Sequence, residues 1–349
     1  MTPDAVLSVD DIQLSDPDFW RRSREEREGA FETLRKERPV AWMEEIDDRF
    51  LPPGPGFWSI TKIADILHIS RNPEIFCSGK GATSIPDLPP EFLEFFGSMI
   101  NLDDPRHKRL RNLVSSGFTP ARLRKAEEQV RRAARLSVDA VIEKGECDFV
   151  TEMAASFPLR IICEMMGIPE SQYDFVIEMT NLILGGSDPE FVSEPAELMP
   201  RIFGAGVQLA ELMKDLRRQR LENPTDDITS VMAHAEIDGQ KLSEEEMGSF
   251  FILLVNAGNE TTRNALSHGI HQLSVNADQK EIWWKDFENV TPTAIEEIVR
   301  WGSPVIMMRR TATQDTQVRG QVVKEGDKLV LVYPAGNGDE ECFEKSYQF

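Results

Sequence analysis

Ser243 and Glu246 form a capping box, and the stretch behind them, GSFFILLVNAGNETTRNALSHGIHQLSV, reads as one long helix. About 30 residues at 1.5 Å each make a rod of some 45 Å, long enough to cross a whole domain. A chain organised around such a rod is mainly helical. The middle of the rod is unusual: Phe250, Phe251, Leu253, Leu254 and Val255 run straight into Asn256, Ala257, Gly258, Asn259, Glu260, Thr261 and Thr262. Glycine costs about 1 kcal/mol against alanine inside a helix, and threonine hydroxyls compete for the carbonyl four residues back. The expected result is a local bulge with a kink. It would open a groove where a small molecule meets the backbone, with an acid and a hydroxyl alongside. Taken alone, the same stretch also reads as a solvated surface segment, since most glutamates are exposed.

The remainder of the chain is consistent with a helical protein carrying a small sheet. DPDFWRRSREEREGAFETLRKER has helical spacing, and FWSITKIADILHIS reads as a short strand running into a helix. Asp104–Pro105 and Thr119–Pro120 are start signals for two further helices. TPTAIEEIVRWG is a short helix, and LILGGSDPEF a loop between helices. After Pro304 the pattern changes to short β-type runs, VIMMRRTAT, TQVRG and QVVKEGDKLVLVY. The 349 residues show no repeat or linker, which predicts a single domain over 1–349.

Several function classes fall away. No apolar run reaches the roughly 20 residues of a membrane span. The N-terminus carries acids where a signal peptide carries Lys or Arg, so the expected location is cytoplasmic. Cys77, Cys147, Cys163 and Cys342 are too scattered for a disulfide framework or a zinc site. The phosphate-loop, dinucleotide, zinc-protease and serine-hydrolase motifs are all missing from the sequence. His268 and His271 read as ordinary surface or core histidines.

The net charge of −21 disfavours nucleic acid. Between Pro105 and Arg135, however, stand ten of the 39 Lys and Arg residues, with only Glu127 and Glu128 against them. That reversal asks for an anionic partner or cofactor. His107 and Arg111, four apart, share a helix face with Leu110 and Val114, which predicts two buried cationic donors. An exposed basic helix is the alternative. Arg309 and Arg310 follow an apolar run, so one of them faces inward in an alternating strand. Glu297 and Arg300 stand three apart on one helix face, a spacing too common to decide anything by itself.

Order and spacing together are more specific. From about Asp16 onward the chain resembles the cytochrome P-450 superfamily, the haem-thiolate monooxygenases, in its bacterial soluble form. DDPRHKRLRNLVSSGFTPARL is similar to that family's C-helix, VNAGNETTRNAL to its oxygen-binding helix, EEIVR to its E-x-x-R helix and SPVIMMRRTA to the following strand. The resemblance implies a mainly α fold with small β-sheets and a haem b cofactor. It also implies insertion of one oxygen atom of O2 into an apolar substrate, and a ferredoxin-type electron donor docking near the basic island.

By the same resemblance His107, Arg111 and Arg310 would bind the haem propionates, and Ala257 and Gly258 would let the porphyrin approach the helix. Thr261 would hold a water at the dioxygen, Glu260 would relay protons, and Glu297 with Arg300 would form a buried structural pair. Ile100–Asn101–Leu102, Val305, Ile306 and LILGGSDPEF would contact substrate, with a leaning toward steroids or other long apolar chains. The family's axial ligand is a cysteine in a glycine-rich loop, and no such loop stands in this sequence. Cys342 in NGDEECFEKSYQF has neither the glycines nor a basic setting, so it is not expected to bind metal. The expectation is a chain cut short before that loop. The alternative is a non-catalytic helical small-molecule-binding protein.

Overall fold

A computed structural model describes residues 7–46, 53–185 and 195–349, with the side chains of 195–197 left out. The chain divides into two compact units. One comprises Met1–Pro90, Ile100–Asp103 and His268–Phe349; the other comprises Glu91–Met99 and Asp104–Ser267.

The first unit is built on a sheet. Among the described residues its strands are β1 (Val40–Met43), β2 (Phe57–Ile60), β3 (Phe76–Cys77), β4 (Met307–Ala312) and β7 (Lys328–Val332), in the order β1-β2-β7-β4-β3. A separate hairpin pairs β5 (Thr316–Val318) with β6 (Gln321–Val323). The sheet is therefore not confined to the late part of the chain. β2 runs parallel to β7 and brings residues from the first quarter of the sequence beside the last. All five residues of β7 are buried because both faces of the strand are covered. Val330 and Val332 face a cluster with Phe19, Phe31, Leu34 and Phe57. Leu329 and Leu331 face a second cluster with Ile60, Ile66, Ile69 and Phe76.

The N-terminal helical stretch divides in two, Pro17–Trp20 and Arg24–Glu37, because Ser23 caps the second helix. The Ser23 hydroxyl accepts from Glu26 N, and the Glu26 carboxylate accepts from Ser23 N. The segment Tyr333–Phe343 is fastened beside the helix Ile63–Ser70. Asp339, 1% exposed, accepts from Lys62 Nζ at 3.0 Å and from Ile63 N at 3.1 Å.

The second unit is helical. Its core includes Leu159, Met166, Val176, Leu209, Met213, Phe251 and Val255. Gly248 of the long helix packs on Ala210 of the helix Pro195–Glu222, where an added Cβ would come within 3.1 Å. The long helix runs unbroken from Glu244 to Val275, and its last residues belong to the first unit.

Candidate functional site

Asp104 opens the helix Arg106–Ser115, its Oδ1 accepting from Lys108 N at 3.1 Å. Leu110, Leu113 and Val114 form the buried stripe of this helix. At about 100° per residue, His107 lies about 65° and Arg111 about 105° from the middle of that stripe. His107 is accordingly half-buried, with Nδ1 3.4 Å from Asp104, and Arg111 is exposed. The expected burial of both on the apolar face is corrected: sharing part of a face with Leu110 did not place them at its centre.

The surrounding basic island is less unbalanced in space than in sequence. Arg106 pairs with Glu94, Arg109 with Glu246, Arg122 and Lys125 with Asp226, Arg131 with Glu127 and Arg132 with Glu164. Four of those five acids come from outside the basic stretch. Lys108, Arg111, Arg124 and Arg135 have no acid partner among the described residues.

At the centre of the long helix the expected kink does not interrupt the helix. The threonine competition takes a milder form: Thr261 Oγ1 donates to the Ala257 carbonyl at 2.7 Å without breaking the helical run. Ala257 is exposed on the same side. Gly258 has a close neighbour within its own unit. A Cβ there would meet Ile162 Cδ1 at 2.7 Å, so the glycine admits the helix Phe157–Met166. Glu260 is held by Arg263 Nη2 at 2.5 Å and by Asn264 Nδ2 at 3.2 Å. Asn259 is buried, and neither its amide oxygen nor that of Asn256 finds a donor.

In the first unit, Arg300 Nε and Nη2 donate to both oxygens of Glu297 at 2.6 and 2.5 Å. The same guanidinium donates to the carbonyls of Asn337, Ser346 and Gln348. The common E-x-x-R pair is thus the clamp on the last described segment. Arg309 and Arg310 take opposite faces of β4, Arg309 opposite Val330 and Arg310 opposite Leu329. Arg309 is the inward residue, 3% exposed. Arg310 is half-buried, bonded to the Arg309 carbonyl at 2.8 Å, and has no carboxylate partner among the described residues. Val305 and Ile306 immediately precede β4, Ile306 exposed. Ile100 is half-buried beside Asn101, whose Oδ1 accepts from Ala82 N at 2.9 Å. Of LILGGSDPEF, residues 182–185 end a helix and 186–191 lie outside the described residues.

Sequence reasoning missed one cluster. Lys328 and Glu45 are both buried and paired at 2.7 Å, and Asp87 bridges Lys328 and Arg309 at 2.9 and 2.7 Å. The available signal was the lysine at an inward position of KLVLV, on the same strand face as Val330.

With this geometry in place the relatives can be compared. A methyl-branched lipid omega-hydroxylase of Mycobacterium tuberculosis is 44% identical over 351 residues, covering 100% of this chain and 81% of that protein. A steroid C26-monooxygenase of Mycolicibacterium smegmatis is 35% identical, covering 90% of this chain and 73% of that protein. The solved Mycobacterium marinum cytochrome P450 CYP268A2, in complex with pseudoionone, superposes with a TM-score of 0.89. It shares 37% identity, covering 99% of this chain and 83% of that one. The sequence profile of the family Cytochrome P450 matches residues 194–349.

The chain belongs to the cytochrome P450 family. It is a haem monooxygenase by descent, one that acts on apolar substrates with O2 and a redox partner. No described helix is long and apolar enough to cross a membrane.

A P450 haem carries two propionates, which call for cationic side chains. In a chain with 60 acids, Arg111 and Arg310 keep guanidiniums without a carboxylate partner among the described residues. The cysteines do not fit the iron. Burial pushes the Cys163 thiol up to about 12. Burial and then Asp103 raise Cys77, while desolvation and then Asp339 and Glu341 raise Cys342. Cys147 is exposed between Glu146 and Asp148. None has the electropositive setting that favours a thiolate.

Proposed function

We propose that this P450 oxidises the end of a long apolar chain, as in a methyl-branched lipid or a sterol side chain. The observation that carries the reading is the Thr261 hydroxyl bonded to the carbonyl of exposed Ala257 on the long helix, a small and hydrogen-bonding face for a cofactor. Support comes from the relatives, whose names specify methyl-branched lipid omega-hydroxylation and steroid C26 oxidation.

In this reading the protein is one P450 domain, working in the cytoplasm with haem b and a ferredoxin-type donor. Haem, when bound, supplies the electron-transfer and dioxygen chemistry. Arg111 and Arg310, with His107, hold the two propionates by charge-assisted hydrogen bonds. Ala257 gives the long helix a small side chain on its cofactor side, where Thr261 presents a hydroxyl that can pass from the Ala257 carbonyl to a water. Gly258 sets the position of that face through its contact with Ile162. Glu260 holds a proton-exchanging carboxyl one residue from Thr261, positioned by Arg263 and Asn264. Ile100, Val305 and Ile306 contact the apolar chain. Lys108, Arg124 and Arg135, without an acid partner among the described residues, supply positive charge that speeds association with an acidic donor.

The test is a chimera in which the cysteine loop of a relative supplies the axial thiolate, loaded with haem and given ferredoxin, reductase and NADH under 18O2 with a methyl-branched fatty acid or a cholestane steroid. The reading expects one 18O atom on the terminal carbon of the chain. Label on a ring carbon, or none in either substrate, contradicts it.

A further inference from the structure

Arg309 and Lys328 are 3% and 2% exposed, yet one of their two carboxylate partners, Asp87, has a side chain 60% exposed. The other, Glu45, is buried against Lys328 and accepts from Gly54 N at 3.1 Å. Asp87 ends the segment Ala82–Asp87, which belongs to no helix or strand. Polar bonds tie this segment to the sheet at successive points. Ala82 O accepts from Arg309 N at 2.8 Å, and Ile85 O accepts from Arg309 Nη1 at 3.0 Å and Lys328 Nζ at 3.1 Å. On its other side, Ala82 N donates to Asn101 Oδ1, next to Ile100. The segment therefore bridges two stretches, Ile100–Asn101 and the start of β4 behind Val305 and Ile306.

We propose that Ala82–Asp87 is a charge-locked strap over the substrate-contacting residues, with Asp87 as its latch. The inference rests on Ile100, Val305 and Ile306 being substrate contacts. Closed, the strap balances two buried cations with two carboxylates. Opened, it strands Arg309, whose Nε already lacks an acceptor in the closed form. Leaving a buried cation unpaired is costly, so the open state is rare but reachable through the exposed carboxylate. Burial alone would raise the Asp87 pKa, but hydrogen bonds from Lys328 and Arg309 outweigh it and bring it below the usual carboxylate range. The groups facing Asp87 are Arg309 and Lys328, with Glu45 behind Lys328. The latch holds at neutral pH and loosens as pH falls through that lowered value, or as salt screens it.

Two measurements on the 349-residue protein test this. In hydrogen–deuterium exchange, Asp87→Asn is expected to speed exchange of residues 82–87 and 100–101 about tenfold or more, with the β7 amides unchanged. Asp87→Glu is expected to restore protection. In stopped flow with cis-parinaric acid as an apolar probe, D87N is expected to raise the association rate several-fold. Unchanged strap exchange in D87N, or a uniform rise across the chain, overturns the latch. Local loosening with an unchanged probe association rate overturns gating. A probe that binds neither protein overturns the substrate reading itself.

Discussion

Thr261 Oγ1 donates to the Ala257 carbonyl across one turn of the long helix, at 2.7 Å. The bond couples the two residues assigned to the cofactor side. The hydroxyl is parked on a carbonyl that needs no second donor, and a water can replace that carbonyl at small cost. Thr261→Val keeps the β-branch and removes only the hydroxyl. It is expected to change unfolding free energy by less than about 0.5 kcal/mol in urea melts. In the haem-loaded chimera that carries a relative's cysteine loop it should lower product per reducing equivalent by about tenfold or more, because the proton route is lost.

Gly258 gives predictions of different size for small and large substituents. Alanine gains about 1 kcal/mol of helix propensity and meets only the flexible end of Ile162, so Gly258→Ala should be near neutral. Gly258→Leu overfills the contact and should cost about 2–3 kcal/mol. Ile162→Val beside Gly258→Leu should recover part of that loss in denaturant melts.

Arg300 joins Glu297 to three carbonyls of the last segment. Arg300→Ala leaves a partly buried carboxylate and those carbonyls without their donor. A loss of about 3 kcal/mol is expected. Exchange should rise first in residues 337–348. Unchanged stability would make the pair an ordinary surface interaction.

Asp339 and Lys62 predict a two-sided pH profile. Burial would raise the Asp339 pKa, but hydrogen bonds from Lys62, Glu341 N and Ile63 N lower it overall. Its stabilisation is thus present above the unfolded carboxylate value of about 4 and is lost as pH falls through the lowered folded value. Desolvation would lower the Lys62 pKa, but hydrogen bonds to Glu341 and Asp339 raise it overall. That contribution is intact below the unfolded lysine value of about 10.4 and is lost as pH rises through the raised folded value. Asp339→Asn should flatten the acid limb of a stability-versus-pH series, and an unaltered limb would remove Asp339 from the account.

The long helix and the late strands were readable from periodicity and turn signals, because each is a local pattern of apolar and capping residues, whereas the Glu297–Arg300 pair drew its meaning from the family resemblance alone. Of the sheet's early members only β2 was, as the strand that opens FWSITKIADILHIS. β1, β2 and β3 are four, four and two residues long, and their partners lie more than 200 residues away except for the β1–β2 pair. The basic island misled for a related reason. Sequence counts charges along the chain, while Glu94, Glu164, Asp226 and Glu246 reach it through the fold. Gly258 was legible as a close approach, but its contact with Ile162 was not, because no local pattern names a glycine's neighbours.

The central claim is the proposal that Arg111 and Arg310, which have no carboxylate partner among the described residues, bind haem propionates. Haem and its dimethyl ester, which lacks both carboxylates, should be titrated into the native chain and into Arg111→Ala/Arg310→Ala, following the Soret band. The account predicts that the native chain binds haem at least about tenfold more tightly than the ester, from two lost charge-assisted bonds. The double variant should no longer distinguish them. Equal affinity of the native chain for haem and ester, or a double variant that keeps the preference, would contradict it.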